Sequence, residues 1–352
     1  FLTRIAQQQK QVSEGLKQLR QKQNELAAIT QTMNEGLLLL NGRQHILSIN
    51  DSAAKLFSIQ SEAALGKNIL TLERGKEVQE LLQKVADSGS GESLYQKDGR
   101  YYQLCGSSVG GRGSVLLIFD VTEKMAAETL RREFSANVSH ELKTPLQSIL
   151  GYAEIMKNGL VQEADKQRFL EKIYNEAGHL IVLIDNIMKL SRLDEATGSG
   201  SNFEPVELKK LTEATAARLV SQAEKKSVTI TVSGCEAEIE GVPSVLSEVI
   251  YNLVDNGIKY NREGGRVEVV VSVSPGEAVL TFKDTGCGIS AADRERVFER
   301  FYRVDKSHFK ETGGTGLGLS IVKHGVLFHK GRIELESELE KGTTIRIILP
   351  RN

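Results

Sequence analysis

Between Glu123 and Asn158 the chain has no glycine before Gly151, and apolar side chains recur at Phe134, Val138, Leu142, Leu146, Ile149, Ala153 and Met156. This three-and-four spacing predicts one long amphipathic helix with a single apolar stripe, ended by Gly159 as its C-terminal cap. Pro145 interrupts the helix formally and is expected to bend it locally. A second stripe, Phe169, Ile173, Ala177, Leu180, Ile184, Ile187 and Leu190, predicts a partner helix over Ala164 to Glu195. One such hairpin would leave its apolar face in water. Two hairpins from two copies of the chain would close an antiparallel four-helix bundle, so a homodimer is expected.

The polar face of the first helix carries reactive groups. His140 stands two residues from both Val138 and Leu142 and so points away from the stripe; Thr144 lies one turn later on the same outward face, and Glu141 sits beside the histidine. A lone surface histidine is ordinarily just solvated. The run FSANVSHELKTPL at residues 134–146, however, resembles the H box of the dimerising histidine kinases, and further motifs follow downstream in that family's order.

Those motifs lie in a last region that alternates strands (Val228 to Val232, Arg266 to Ser274, Ala278 to Asp284, Gly331 to Glu336, Thr343 to Leu349) with helices (Leu208 to Lys225, Ser244 to Tyr260, Leu317 to Phe328). The pattern predicts an α+β sandwich, with sheet on one side and helices on the other. On its central helix Asn252, Asn256 and Lys259 follow at helical spacings. Then come Asp284-Thr285-Gly286-Cys287-Gly288, Val297 to Tyr302, and Gly314-Thr315-Gly316-Leu317-Gly318-Leu319. A glycine run opening a helix offers backbone amides to phosphate at the positive helix end. Alone, such a run is weak; in this order the set resembles the Bergerat ATP-binding fold shared by histidine kinases, DNA gyrase, heat-shock chaperones and mismatch-repair ATPases.

The resemblance to class I sensor histidine kinases covers roughly the last two thirds of the chain and implies ATP and Mg2+. Asn256 would ligate the metal with Asn252 close by, Lys259 and Tyr260 would line phosphates and sugar, and Asp284 would accept the adenine amino group. Gly286 and Gly288 would let backbone approach the base, and Arg303 and Lys306 would belong to a lid. His140 would be phosphorylated, Glu141 would take its proton, and the phosphoryl group would pass to an aspartate on a response regulator receiver domain. Glu141 and Thr144 also match the pattern for orienting a water that dephosphorylates that regulator. Departures are Gly257 for a common alanine, Gly325 for a larger apolar residue, and Cys287 for an aliphatic one. The two glycines each lower helix propensity by up to about 1 kcal/mol.

Two rival readings follow from the same residues. An ATP-driven conformational machine would use a carboxylate to activate water, and Glu248 stands four residues before Asn252; the H box argues against it. A degenerate scaffold would have lost His140, Asn252, Asn256 or Asp284, and all are present.

Upstream, Ile5, Val12, Leu19, Leu26 and Met33 recur every seven residues, with Leu2 and Leu16 three residues ahead of two of them, a coiled-coil seam softened by Gln9, Gln23 and Thr30. Gly36 to Leu40 and His45 to Ile49 flank the hairpin turn Asn41 to Gln44, and Asn50 to Ala54 begins a capped helix. With strands at Tyr101 to Cys105 and Ser114 to Asp120 and the closing Asp120-Val121-Thr122, this region resembles an α/β PAS sensor domain. His45 and Cys105 are isolated, so its ligand is unknown or absent. The expected domains are a coiled coil (1–29), PAS (30–122), the dimerisation and phosphoacceptor hairpin (123–196), a flexible linker around TGSGS (197–203) and the ATP-binding domain (204–352).

Length agrees: 352 residues exceed one ordinary domain of about 100 to 200. Net charge is −1, from 45 basic and 46 acidic residues, so no overall basic field recruits nucleic acid or an anionic membrane. Cys105, Cys235 and Cys287 lack metal-ligand spacing and suit a reducing cytoplasm. No run of about 18 apolar residues occurs. The chain opens at Phe1 inside a helical pattern, so a longer protein with a membrane anchor upstream is expected. A PAS domain directly before the H box resembles membrane sensors of phosphate limitation or cell-wall status.

Overall fold

In β1 (Gly36–Asn41) Leu38 and Leu40 are buried and Leu39 is exposed, the period-two alternation of a strand with one face on a core. Asn41 closes the turn to β2 (Ile46–Ile49) by accepting from the backbone N–H groups of Arg43 (2.9 Å) and His45 (3.0 Å). Asn50 caps α1 (Asp51–Leu56), accepting from Ala53 N–H at 3.0 Å. The same side chain donates to the carbonyls of Thr30 (2.9 Å) and Glu35 (2.8 Å) and accepts from Leu37 N–H (2.9 Å), so a buried amide has every bond filled.

Next come α2 (Ser61–Ala64), α3 (Ile69–Leu72) and α4 (Lys76–Ser88). Helix α4 buries Val78, Leu81, Leu82 and Val85 and stops at Gly89, whose φ of +81° a glycine adopts freely. With β3 (Ser90–Lys97), β4 (Arg100–Val109) and β5 (Gly113–Asp120) the unit is an antiparallel sheet of order β2-β1-β5-β4-β3. Strand β3 and helices α2 to α4 are additions to the sequence reading.

Helix α5 (Thr122–Lys157) is continuous through Pro145 and is followed by α6 (Lys166–Ala196). Gly159, at φ +69°, ends α5 as expected. Along the α5 stripe Phe134, Val138, Leu142 and Ile149 are half-buried in the single chain, whereas Leu146 is 57% exposed.

The remaining elements are β6 (Glu204–Glu207), α7 (Leu208–Ala217), α8 (Val220–Lys225), β7 (Thr229–Gly234), β8 (Glu238–Gly241), α9 (Pro243–Lys259), β9 (Arg266–Ser274), β10 (Glu277–Asp284), α10 (Gly318–Phe328), β11 (Arg332–Glu338) and β12 (Gly342–Pro350). The helix expected over Leu208 to Lys225 is two helices. The N–H groups of Arg218 and Leu219 bond back three residues, tightening the turn, and Leu219 drops into the core at 2% exposure. A five-stranded sheet, β11-β12-β10-β9-β7, is antiparallel except for the parallel pair β7–β9; β6 and β8 form a second small sheet. One face of the large sheet (Val267, Val269, Val271, Leu280, Ile347) packs on Leu246, Ile250, Leu253 and Val254 of α9 and on Val322 and Val326 of α10. Each such buried side chain contributes about 1.5–3 kcal/mol.

The structure is a computed structural model that describes residues 17, 18, 21, 22, 25, 28–110, 112–196, 203–304 and 314–351. Most of the coiled-coil seam (Leu2, Ile5, Gln9, Val12, Leu16, Leu19, Gln23, Leu26), the TGSGS linker and Lys306 lie outside these residues. The chain forms two compact units, Phe1–Glu133 and Phe134–Asn352.

Candidate functional site

His140 projects from α5 with 81% of its side chain exposed, and Glu141 Oε1 lies 3.8 Å from its Nδ1. Neighbouring residues on a helix diverge by about 100°, and the carboxylate stands on the Nδ1 side of the ring. Thr144, also exposed, donates its hydroxyl to the His140 carbonyl at 3.2 Å.

In the second unit α9, the end of β10 and the start of α10 meet. A side chain on Gly318 would come within 2.9 Å of Asn252 Oδ1 and 3.7 Å of Asn256 Nδ2, so glycine lets the start of α10 lie against the asparagine edge of α9. Asn252 Nδ2 donates to the Glu248 carbonyl at 2.8 Å and lies 3.4 Å from Glu248 Oε1. Lys259, expected toward the phosphates, pairs instead with Asp255 at 2.7 Å, and Asp255 also accepts from Gln222 at 2.7 Å. Tyr260 is 43% exposed, its carbonyl accepts from Cys287 N–H at 3.1 Å, and its hydroxyl lies over Gly314.

Asp284 Oδ1 accepts from the N–H groups of Gly286 (2.8 Å) and Thr343 (3.2 Å). Burial nonetheless dominates and pushes its carboxyl above the usual range, while those two bonds pull it down. Gly286 passes so close to the Tyr260 carbonyl that a side chain would collide with it, and Gly288, at φ +71°, lies against the Glu338 carbonyl. Cys287 between them is exposed, and partial desolvation by the surrounding backbone pushes its thiol above the ordinary value.

Arg303 donates to the Gly314 carbonyl at 2.6 Å. Thr315 Oγ1 accepts from Leu317 N–H at 3.3 Å and from Asn186 Nδ2 on α6 at 3.1 Å. Gly316, at φ +70°, lies against the backbone of Phe301, which itself holds φ +64° and bonds to the Gly316 carbonyl at 2.9 Å. Leu317 is fully buried with Leu183, Leu190, Leu193 and Ile321, and Leu319 packs on the main core.

The expected nucleotide residues thus converge, whereas His140, Glu141 and Thr144 stand apart on α5. Phe134 connects the two: its ring is 5.9 Å from Phe301, and the Arg300 guanidinium lies 4.8 Å over its face. The donor set fits a magnesium nucleotide: neutral amide oxygens on α9, backbone N–H groups where α10 begins, and a half-buried carboxylate on β10. Sequence reading missed Asn186, Lys189 and Thr343. Polar residues on a helix and a threonine in a strand carry no signal of their own.

Three family descriptions match in the same order along the chain: "PAS fold" at residues 24–111, "His Kinase A (phospho-acceptor) domain" at 130–196, and "Histidine kinase-, DNA gyrase B-, and HSP90-like ATPase" at 241–352. The sensor protein kinase WalK of Staphylococcus aureus is 30% identical over 97% of this chain and 84% of its own length. The chain belongs to the sensor histidine kinase family.

The sensor histidine kinase WalK of Bacillus subtilis is 32% identical over 99% of this chain and 58% of itself, so this chain spans little more than half of that relative. Among solved structures, histidine kinase ThkA in complex with the response regulator protein TrrA superposes with a TM-score of 0.51 at 22% identity, covering 90% of this chain and 96% of that one. Histidine kinase AdeS of Acinetobacter baumannii gives 0.51 at 20% identity, over 60% of this chain and 98% of that one. Both likenesses concern the fold. The two glycines that the sequence reading set apart lie where packing is tight. A side chain on Gly325 would come within 2.7 Å of Val249 Cγ2, and one on Gly257 within 3.0 Å of Val267 Cγ2.

Proposed function

We propose that the chain is the cytoplasmic portion of a membrane-anchored sensor that phosphorylates its own His140 from ATP and passes the phosphoryl group to a receiver-domain aspartate. The observation that carries this reading is the exposed His140–Glu141 pair in the same compact unit as an ATP-binding fold. His140 Nε2 attacks the γ-phosphorus; a nitrogen–phosphorus bond forms, the bond to the ADP oxygen breaks, and Glu141 accepts the Nδ1 proton. Asp284 takes the adenine amino group, with Gly286 and Gly288 admitting the base. Tyr260 borders the sugar, and Lys259 serves the phosphates once it leaves Asp255. Backbone N–H groups of Gly314, Thr315, Gly316, Leu317, Gly318 and Leu319, with Arg303, hold the phosphates. Asn256 and Asn252 would hold magnesium, which would offset phosphate charge when bound.

The exposed apolar residues of the helical hairpin, among them Leu146, Leu150, Ile181, Val182 and Met188, support a homodimer closed as a four-helix bundle. No helix among the described residues is long and apolar enough to cross a membrane. The domain boundaries are 29/30, 122/123, 196/197 and 203/204. Glu141 and Thr144 also serve dephosphorylation of the regulator. Glu248, the base of the rival ATPase reading, is already engaged by Lys189 at 2.7 Å.

The test is incubation with γ-labelled ATP and magnesium, comparing the chain with His140→Ala. Acid-labile, base-stable label absent from the variant is expected. Hydrolysis without label, equal in both proteins, would overturn the reading in favour of the ATPase.

A further inference from the structure

The base and the metal of a nucleotide would be met on different elements, Asp284 at the end of β10 and Asn256 on α9, and one buried amide ties those two elements together. The ladder between β9 and β10 ends at the pair Asp284 and Val267, so the backbone carrying the Asp284 carboxylate leaves the sheet at that residue. Other bonds hold it from there. Thr285 N–H donates to the Arg266 carbonyl at 3.2 Å, and Thr285 Oγ1 accepts from Arg266 N–H at 3.0 Å. The Thr285 hydroxyl then gives its own hydrogen to Asn261 Oδ1 at 3.1 Å.

Asn261 follows α9 directly after Tyr260 and is 7% exposed. Its Nδ2 donates to the carbonyl of Gly257 at 2.9 Å, in the last turn of α9, and to that of Arg266 at 3.0 Å; its Oδ1 also accepts from Arg262 N–H at 3.1 Å. Both amide hydrogens and the amide oxygen are thus engaged, as burial demands. A side chain on Gly265 would collide with Asn261 Oδ1, so glycine is what admits the amide there. A helix cap needs the Gly257 bond alone. The oxygen turned to Thr285 is what reaches the site, and Cys287 N–H to the Tyr260 carbonyl at 3.1 Å runs beside it as a second tie.

We propose that Asn261 is a positioning residue for adenine: through the Thr285 hydroxyl it fixes where the Asp284 carboxylate stands relative to α9. This role rests on the reading that Asp284 meets the adenine amino group, and it adds the device that makes the contact selective. Asp284 Oδ1 is taken by the N–H groups of Gly286 and Thr343, so the amino group is met by Oδ2. That bond weakens steeply once its distance or angle leaves a narrow range, so a small drift of the loop loses it while the phosphates stay held.

The experiment compares Mg·ADP with Mg·inosine diphosphate, whose base carries an oxygen in place of the amino group, by competition calorimetry on the full chain. The ratio of the two affinities reports the amino contact alone. Thr285→Val removes the hydroxyl and leaves only the Arg266 N–H, at an exposed edge where water takes over. It is expected to cut the preference for the adenine nucleotide by about fivefold, the worth of one neutral hydrogen bond. Thr285→Ser, which keeps the hydroxyl, is expected to match the parent. In autophosphorylation Thr285→Val is expected to raise the KM for ATP at unchanged kcat. Asn261→Ala is expected to repeat the loss of preference; if it does not fold, the two Thr285 variants decide. An undiminished preference in Thr285→Val overturns the proposal. So does an equal loss for both nucleotides, the mark of general distortion, or a Thr285→Ser as impaired as Thr285→Val. A parent chain that binds both nucleotides equally brings down the adenine reading and the proposal with it, whereas a preference kept in Thr285→Val brings down the proposal alone.

Discussion

Asp284, half-buried, and His329, buried, show how desolvation of a titratable side chain makes stability depend on pH. Burial holds the Asp284 carboxyl above its ordinary range, so this group's contribution to stability is present at low pH and lost as pH rises through its folded value. At neutral pH its charge is therefore a cost to folding, which the proposed adenine contact would explain. Asp284→Asn retains an oxygen for the N–H groups of Gly286 and Thr343 and removes the buried charge. Calorimetry at pH 7 is expected to find a melting temperature equal to or above that of the parent, while adenine nucleotide affinity falls by at least about tenfold, the worth of one strong hydrogen bond. His329 has the opposite sign. Its Nε2 accepts from Val242 N–H at 2.9 Å and its Nδ1 donates to the Gly325 carbonyl at 2.7 Å, which fixes a neutral tautomer in a site 3% exposed. Desolvation pulls its pKa below the ordinary value of about 6.5. Its stabilising contribution is present above that value and lost as pH falls from there toward the folded pKa. Melting followed from pH 7.5 to 5 is expected to show this loss, blunted in His329→Gln, whose amide can make both bonds without taking a proton.

Among the elements, α10 sets a propensity rule against a packing rule. Replacing Gly325 by alanine gains about 1 kcal/mol of helix propensity. The new methyl would stand 2.7 Å from Val249 Cγ2 and 3.3 Å from Val245 Cγ1, and overpacking of that kind costs about 1–3 kcal/mol. Gly325→Ala is expected to lower the urea midpoint of the ATP-binding domain, the reverse of what propensity alone gives. The sequence reading noted this glycine as a departure but could not give its reason, because the neighbour that demands it is Val249, far away in the chain. Local signals were legible: the Asn50 cap, the Asn41 turn, the Gly159 stop, and strand β9 to the residue. What stayed hidden was tertiary. The break between α7 and α8 follows from the burial of Leu219, and α2 and α3 are too short to show a period; α4 does carry one, at Val78, Leu81, Leu82 and Val85, which the sequence reading did not use. Lys259, expected at the phosphates, pairs with Asp255, a carboxylate one turn back on its own helix.

For the molecule as a whole, the order of motifs was enough to place the architecture, since an H box followed by an asparagine helix and glycine loops leaves few alternatives. The seating of α6 on the nucleotide site was not legible, because Asn186 and Lys189 look like any polar helix face. The sequence reading expected the hairpin's apolar stripe to need cover; Ile181, beside that stripe, is 61% exposed within one chain. Ile181→Glu would set two carboxylates in the seam of the proposed dimer. Sedimentation is expected to find it monomeric at concentrations where the parent chain is paired. The continuity of α5 through Pro145 carries a further consequence. Proline has no N–H, so the carbonyl of Glu141 lacks its partner one turn on, and the ladder of the helix skips a rung beside the reactive imidazole. A rod with one missing rung is stiff in twist but compliant in bending at that point. On the kinase reading proposed above, the turn bearing His140 is the one that would tilt toward whatever delivers or removes a phosphoryl group.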